Sequence, residues 1–211
     1  MRTLPQAMML SATLACAVQA WGLDVEPVVA GCEYCHGVNG ISVDGHIPII
    51  AGQPEALIAV AHEQFKDWAR ACTTLKPPRG GEELAMTSMC EISSSLDTAT
   101  INALATHYAA LPFVPAPQSF DPAQGVEGAR LHQLYCESCH LNGGAKAGFA
   151  GRLAGQWTPY LALTLERIKR EEITVPHVMQ RKVSEFSEAE ISALLNFWAS
   201  QQEFRQHRTG R

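Results

Sequence analysis

Cys-Glu-Tyr-Cys-His at residues 32–36 recurs as Cys-Glu-Ser-Cys-His at residues 136–140, and the rest of the chain is interpreted outward from this pair. A second shared segment follows each copy. Ala51-Gly52-Gln53 begins 16 residues after Cys35, and residues 154–156, again Ala-Gly-Gln, begin 15 residues after Cys139. Matched segments at matched distances indicate one structural unit that is used twice.

The hydrophobic pattern predicts that both units are helical. Apolar residues follow each Ala-Gly-Gln segment at the three-and-four spacing of a helix. Each unit also ends on a predicted helix, for which Asp97 and Ser187 are natural N-caps, and Ser187 with Glu190 matches a capping box. The apolar positions of the first stretch are Leu57, Ile58, Ala61, Phe65 and Trp68, and those of the second are Leu161, Leu165 and Ile168. We therefore predict an all-α protein.

The chain divides into a leader and two domains. Residues 1–20 resemble a secretory signal, with Arg2 near the start, an apolar stretch over residues 7–18 and a small-residue cleavage site that ends at Ala20. Three prolines at positions 112, 115 and 117 favour an extended connector. We predict a signal peptide at 1–20, a first domain at 21–111, a linker at 112–123 and a second domain at 124–211.

Composition and charge narrow the function classes. Of the 211 residues, 46% are apolar and 18% charged, which is typical of a globular protein. Cleavage near Ala20 would remove Arg2 and leave a net charge near −6, so no basic surface for nucleic acid is expected. The apolar stretch of the leader is shorter than the roughly 20 residues of a membrane span, and we predict no transmembrane segment. Export predicts a periplasmic location, where each cysteine is disulfide-bonded, ligated or alkylated.

The repeated pentapeptide is the attachment signature of c-type haem. Two thiols at this spacing can add to the two vinyl groups of a haem, while the following histidine reaches the iron from one side. Zinc binding and a redox dithiol are the alternatives for a cysteine pair at this spacing. We predict two covalent haem c groups, with Cys32, Cys35, Cys136 and Cys139 as attachment residues and His36 and His140 as axial ligands.

Comparison of the two units also indicates candidates for the second axial ligand of each iron. Met179 lies seven residues before Phe186 and twelve before the first core position of the last helix, Ile191. Met89 has the same two distances to Leu96 and Ile101, whereas Met86 misses this spacing by three residues. Methionines are ordinarily core residues, but two at matched distances favour ligation. We predict Met89 and Met179 as the iron ligands, and His/Met ligation closes both irons for electron transfer.

Residues around the predicted ligands suggest how they are held. Pro48, twelve residues after His36, has a carbonyl that can accept from the ring of that histidine, and Gly151 occupies the corresponding place after His140. We expect the two haems to differ in potential. Six further histidines have no counterpart in the other unit and are expected at the surface or hydrogen-bonded: His46, His62, His107, His132, His177 and His207.

Two cysteines remain after the haem thiols are assigned. A disulfide between Cys72 and Cys90 is the simplest expectation in an oxidising compartment, and it would hold the strand of Met89 near the iron. The bridge would stabilise the fold by about 3 kcal/mol on the chain-entropy model. The alternative is that one of the two ligates the first iron in place of methionine.

With these features assembled, the chain resembles the tandem dihaem class I cytochromes of the c-four type. The linker and the second domain are more similar to the cytochrome subunit of flavocytochrome c sulfide dehydrogenase. That similarity is carried by Gln118-Ser119-Phe120-Asp121, Leu131-His132, residues 135–140, Gly143-Gly144, residues 153–161 and residues 199–202. The resemblance implies two mostly helical haem domains related by a pseudo-twofold axis, and an electron-donating flavoprotein partner. The longer loop before Met89 and the extra cysteine pair depart from that subunit.

Two functions from different classes follow from these features. The first is an electron carrier, not an enzyme, that passes single electrons between a dehydrogenase, for instance a flavoprotein sulfide dehydrogenase, and a terminal oxidase or small cytochrome. The second is a dihaem redox enzyme, such as a thiosulfate dehydrogenase or a peroxidase, with one open or cysteine-ligated iron. Met89 and Met179 discriminate between them, because an enzyme needs one iron without its methionine.

Overall fold

The computed structural model describes residues 25–79, 84–146 and 148–202. The predicted signal peptide, His207 and the end of the second domain lie outside these residues. The described part is helical and contains no strand, only two isolated β-bridges, which confirms the all-α prediction. Its eight α-helices are α1 Glu26–His36, α2 Glu55–Lys66, α3 Met89–Ser94, α4 Thr98–Ala110, α5 Pro122–Tyr135, α6 Thr158–Lys169, α7 His177–Glu185 and α8 Glu188–Ser200, with a short 3-10 helix at Val38–Gly40.

The same order of elements occurs twice. A helix that carries or precedes the Cys-x-x-Cys-His motif comes first in each half, as α1 and α5. The helix after Ala-Gly-Gln follows as α2 and α6, a short helix with the candidate methionine as α3 and α7, and a final helix as α4 and α8. Helix α5 begins at Pro122, two residues before the predicted start of the second domain.

Backbone hydrogen bonds repeat along with the helices. The carbonyl of Gly40 accepts from the amide of Ile50 at 2.9 Å, and the carbonyl of Gly144 accepts from Leu153 at the same distance. In each half the glycine of Ala-Gly-Gln donates its amide to the last helix, Gly52 to Tyr108 and Gly155 to Trp198, again at 2.9 Å. The sequence repeat is therefore a repeat of structure.

The predicted ends of helices are largely correct. The side chain of Asp97 accepts from the amide of Thr100 and caps α4. Ser187 and Glu190 form the predicted capping box at the start of α8. Each such cap satisfies backbone N–H groups that have no partner inside the helix.

Trp68 is an exception. Its predicted place on the apolar face of the helix that follows Ala51-Gly52-Gln53 is wrong. Helix α2 ends at Lys66, and Trp68 adopts a left-handed backbone with φ +57°. Its amide donates to the carbonyl of Phe65. This turn directs the chain away from the helix face, and the indole is 72% exposed.

Each half has its own apolar core. In the first, helices α1, α2 and α4 enclose a cluster of Val29, Ile58, Leu104, Ala105 and Tyr108. A larger cluster fills the second half, with Leu131, Leu161, Leu165, Ile168, Ile173, Val183, Phe186, Ala193, Leu194 and Trp198. In the second half α5 and α8 pack closely at Gly128, where a Cβ atom would lie 1.9 Å from the carbonyl oxygen of Ala193.

A third cluster joins the two halves. Ile49 and Ala51 of the first half pack with Ala116 of the linker and Trp157 of the second half. The indole N–H of Trp157 donates to the carbonyl of Ser42 at 3.0 Å. Residues 112–121, in the predicted linker, form neither helix nor strand, and Ala116 donates its amide to the carbonyl of Gly155 at 2.7 Å.

A second crossing between the halves lies beyond α2 and α6. Residues 69–71 run antiparallel to residues 172–174, with an amide of each segment donating to a carbonyl of the other. The guanidinium of Arg167 donates to the carbonyl of Ala71 at 3.1 Å and to the hydroxyl of Thr73 at 2.8 Å.

None of the helices described is long and apolar enough to cross a membrane.

Candidate haem-binding sites

The first motif lies in the last turns of α1. Cys32, Cys35 and His36 follow one another within this helix, which ends at His36 and is closed by Gly37. Both sulfurs are free and half-buried, whereas the histidine is buried. The helical turn therefore places two thiols and an imidazole within one short stretch.

The second motif forms a turn directly after α5. The amides of Cys139 and His140 both donate to the carbonyl of Cys136, at 3.1 and 2.9 Å. Here too the sulfurs are free and half-buried. In each motif the two cysteines and the histidine thus lie within one short stretch of chain, and their attachment to haem stays a prediction.

Backbone carbonyls orient both histidines. Nδ1 of His36 donates to the carbonyl of Pro48 at 2.9 Å, and Nδ1 of His140 donates to the carbonyl of Gly151 at 2.7 Å. Both acceptors were predicted from the sequence and are confirmed. With Nδ1 protonated, Nε2 keeps its lone pair for a metal, the usual arrangement of a ligating histidine. Burial lowers the pKa of both imidazoles, which keeps them neutral.

The alternatives of a redox dithiol and a zinc site lose support. Burial raises the pKa of the Cys32 thiol, and it raises the pKa of Cys136 to about 11. A redox dithiol needs a lowered thiol pKa, since the thiolate is the nucleophile. Within the described ranges no three His, Cys, Asp or Glu side chains converge as a bound metal ion would require.

The glutamate shared by both motifs has a structural function that sequence reasoning missed. Glu33 accepts from the amide of Asn39 at 2.7 Å. In the second half Glu137 accepts from the amides of Asn142 and Gly143, at 2.6 and 2.9 Å. Each carboxylate therefore ties down the turn that follows its motif. The identity of this residue in both pentapeptides was the available signal.

The methionines differ in burial. Met89 is the first residue of α3 and is half-buried, whereas Met86 lies outside the helix and is 58% exposed. Met179 is in α7 and packs against the core of the second half. The short helices α3 and α7 hold equivalent places before α4 and α8. This equivalence favours Met89 over Met86, and ligation by Met89 and Met179 stays a prediction.

The remaining cysteines are paired. Cys72 and Cys90 form a disulfide with their Cα atoms 6.0 Å apart, which confirms the predicted bridge. Cys90 directly follows Met89 and is fully buried in α3. Neither sulfur is a thiolate, so the alternative of cysteine ligation to the first iron loses its ligand.

Two of the unmatched histidines are buried and hydrogen-bonded. His132 accepts from the indole of Trp198 at 3.0 Å and donates from Nε2 to the carbonyl of His140 at 3.0 Å. His62 is 9% exposed, and its Nδ1 shares a hydrogen bond of 2.9 Å with the hydroxyl of Ser93. Burial is the largest of the effects that lower the pKa of His62 to about 4.

The surroundings of both motifs fit a large apolar cofactor. In and beside the first motif Tyr34 and Val38 are exposed, and beside the second Leu134, Tyr135 and Leu141 are exposed. Clustered exposed apolar side chains mark surfaces that another group covers. Together with the free thiols and the oriented imidazoles, they form a donor set that suits covalent haem.

Comparisons with known proteins agree with this geometry. Residues 123–197 match the family model described as cytochrome c oxidase, cbb3-type, subunit III, which covers about a third of the chain, in the second half. No curated protein sequence matches the chain.

Three solved structures are similar over both halves. Cytochrome c4 of Acidithiobacillus ferrooxidans has a TM-score of 0.65 at 25% identity, covering 81% of this chain and 99% of that one. Cytochrome c4 of Pseudomonas stutzeri has a TM-score of 0.64 at 23% identity, covering 82% of this chain and 94% of that one. Thiosulfate dehydrogenase TsdBA of Marichromatium purpuratum has a TM-score of 0.63 at 24% identity, covering 80% of this chain but 36% of that one.

Repeat, motif geometry and structural similarity lead to the same conclusion. The chain has the c4-type fold of two class I cytochrome c domains in tandem.

Proposed function

We propose that this protein is a dihaem c-type cytochrome that carries single electrons. The observation that carries the proposal is the pair of equivalent imidazoles, His36 and His140. Each follows two free thiols in the chain, and each is held through Nδ1 by a backbone carbonyl. Two matching arrangements in one chain support two haems, attached at Cys32, Cys35, Cys136 and Cys139. Haem iron supplies a reversible one-electron couple.

The chain's own residues keep both irons closed in this proposal. Met89 and Met179, at equivalent places in helices α3 and α7, would hold the two irons together with the histidines. The disulfide of Cys72 and Cys90 anchors the first of these helices to the segment at residues 70–72. A thioether ligand raises the potential of the iron and leaves no position for a substrate.

The enzyme alternative requires an iron without its methionine. The similarity to thiosulfate dehydrogenase is compatible with this alternative, but the similarity covers only 36% of that chain. The disulfide removes both candidate thiolate ligands of the first half. We therefore propose a carrier, or an electron-transfer subunit, that is not itself an enzyme.

We propose a dehydrogenase as electron donor and a terminal oxidase or small cytochrome as acceptor, in the periplasm after cleavage near Ala20. A flavoprotein sulfide dehydrogenase is one donor of this class. The segment around Trp157 carries much of the resemblance to the subunit of that enzyme. This segment packs between the two halves, so its sequence is explained by the fold without a flavoprotein partner. Copurification of the intact protein with a flavoprotein, and N-terminal sequencing of the exported protein, test these two points.

Substitution of the methionines tests the ligand assignment. In the ferric Met89→Ala protein we expect loss of the methionine-to-iron charge-transfer band of one haem, with half of the wild-type intensity remaining. Met179→Ala should remove the other half, because each thioether serves one iron. Absorption spectra of purified protein with two haems per chain measure both effects.

Met86→Ala is the matched control, since Met86 is three residues away and exposed. Its spectrum should equal that of the wild type. Full band intensity in Met89→Ala would contradict the assignment of Met89. A band that is lost in Met86→Ala would transfer the assignment to Met86.

A further inference from the structure

The glutamine of each Ala-Gly-Gln segment lies at the boundary between the halves and contacts the opposite half. Gln156 of the second half is 1% exposed. Its Oε1 accepts from the amide of Ile49 at 2.9 Å, and its Nε2 donates to the carbonyl of Ile49 at 2.8 Å. A buried amide with both ends bonded to one distant residue is a specific contact between the halves.

The amide of Ile49 belongs to the same peptide group as the carbonyl of Pro48. That carbonyl accepts from Nδ1 of His36 at 2.9 Å. A continuous chain of hydrogen bonds therefore leads from the imidazole of His36 through the peptide group of residues 48 and 49 to the side chain of Gln156. The axial histidine of the first half is connected to a side chain of the second half.

The second half contains the same chain in the opposite direction. Nδ1 of His140 donates to the carbonyl of Gly151 at 2.7 Å, and the amide of the same peptide group, that of Arg152, donates to Oε1 of Gln53 at 2.9 Å. Gln53 is also buried. Its Nε2 makes only long contacts of 3.5 Å, to the carbonyls of Arg152 and Ile49. The two chains are thus reciprocal but not equal.

We propose that Gln53 and Gln156 are positioning residues that tune the axial histidine of the opposite domain through a shared peptide group. A peptide whose N–H donates a hydrogen bond carries more negative charge on its carbonyl oxygen, since linked hydrogen bonds polarise one another. Such a carbonyl accepts more strongly from Nδ1–H and gives the imidazole more anionic character. A more basic ligand favours the ferric iron.

This inference rests on the proposed function, because it requires haem iron on His36 and His140. It predicts an effect in trans: removing Gln156 raises the potential of the first haem, and removing Gln53 raises the potential of the second. In each case the haem of the altered residue's own domain keeps its potential. Simple loosening of the boundary between the domains would not produce this selectivity.

The test uses the reduced holoprotein with 15N-labelled histidine. The Nδ1–H proton resonances of His36 and His140 are assigned through their contacts with Pro48 and Gly151, and the two potentials are measured by redox titration. In Gln156→Met, which keeps the side-chain length but lacks the acceptor, the His36 proton should move upfield and one potential should rise. In Gln53→Met the His140 proton should move and the other potential should rise.

Two further variants separate tuning from structural damage. Gln118→Met is the matched control, because Gln118 donates to the backbone carbonyl of Gln156 and accepts from Thr158 but lies outside both chains. Both ring protons should stay in place. In Gln156→Glu the side chain still accepts from Ile49, and the His36 proton should not move upfield.

Unchanged ring protons in both methionine variants would overturn the proposal. So would a shift in the altered residue's own domain, or equal shifts in Gln118→Met. A wild-type protein without two covalent haems would overturn the proposed function instead. The two failures are therefore distinguishable.

Discussion

At the scale of the residue, the two halves differ at one buried position, which lies in α2 in the first half and in α6 in the second. His62 lies nine residues after Gln53, and Leu165 lies nine residues after Gln156. Both side chains are buried, but His62 adds a polar ring that hydrogen-bonds Ser93. The first half therefore contains a titratable group where the second half has only an apolar side chain.

His62 makes stability depend on pH. Burial is the main reason that its pKa falls to about 4 in the folded protein, against about 6.5 in an unfolded chain. Between these values the unfolded state binds a proton that the folded state does not, so stability falls as pH falls. The loss reaches about 3 kcal/mol near pH 4.

The expected outcome is that His62→Leu loses less stability on acidification than the wild type. Urea unfolding of the holoprotein, followed by haem absorbance at pH 7.5 and pH 4.5, measures both changes. The comparison at pH 7.5 isolates the packing effect of leucine, because the proton linkage is absent there. Equal losses in the two proteins would exclude His62 as the group responsible.

At the scale of the element, α3 is the shortest α-helix of the described part and carries the candidate ligand Met89 at its first residue. Six residues form less than two turns, so tertiary contacts stabilise such a helix more than its own hydrogen bonds do. The side chain of Ser88 caps it, and the disulfide fastens Cys90 to Cys72. Helix α7 has no cysteine and is longer, with nine residues.

The disulfide should therefore matter for one haem only. In the double variant Cys72→Ser and Cys90→Ser we expect a stability loss of about 3 kcal/mol from the greater freedom of the unfolded chain. We also expect the charge-transfer band of the first haem to disappear at a lower temperature than that of the second. Thermal titration of the band measures this, with the second haem as internal control. Parallel loss of both bands would show that the bridge does not hold Met89.

At the scale of the whole molecule, the acidic balance bears on partners. The full chain has a formal net charge of −5, and loss of Arg2 with the leader makes it more negative. Opposite charges on a partner steer the encounter and raise the association rate, and salt screens this effect. A redox partner of this protein is expected to present a basic surface.

The rate of electron transfer to a basic acceptor, such as a small cytochrome of high isoelectric point, should fall as ionic strength rises. Stopped-flow mixing from low to physiological salt measures the dependence. An acidic acceptor serves as control and should show the opposite trend. A rate that does not change with salt would show that electrostatic steering does not contribute to the encounter.

Much of the fold and of the candidate site was predictable because it depends on local chemistry. The spacing of Cys32, Cys35 and His36 is short, and the helix caps at Asp97 and Ser187 act on amides two or three residues away. The carbonyl partners of both histidines were also predictable, since a repeat compares the halves residue by residue. Trp68 was misjudged because a left-handed turn interrupted its pattern.

The sequence by itself determined the two Cys-x-x-Cys-His motifs and the helical repeat, since each is encoded within a few turns of chain. Only the tertiary structure decided that Gln156 bonds Ile49, 107 residues away, and that Gln53 bonds Arg152, 99 residues away. No periodicity encodes such a contact. It arises when two repeats pack face to face, because a buried amide must then find its partners in the other half.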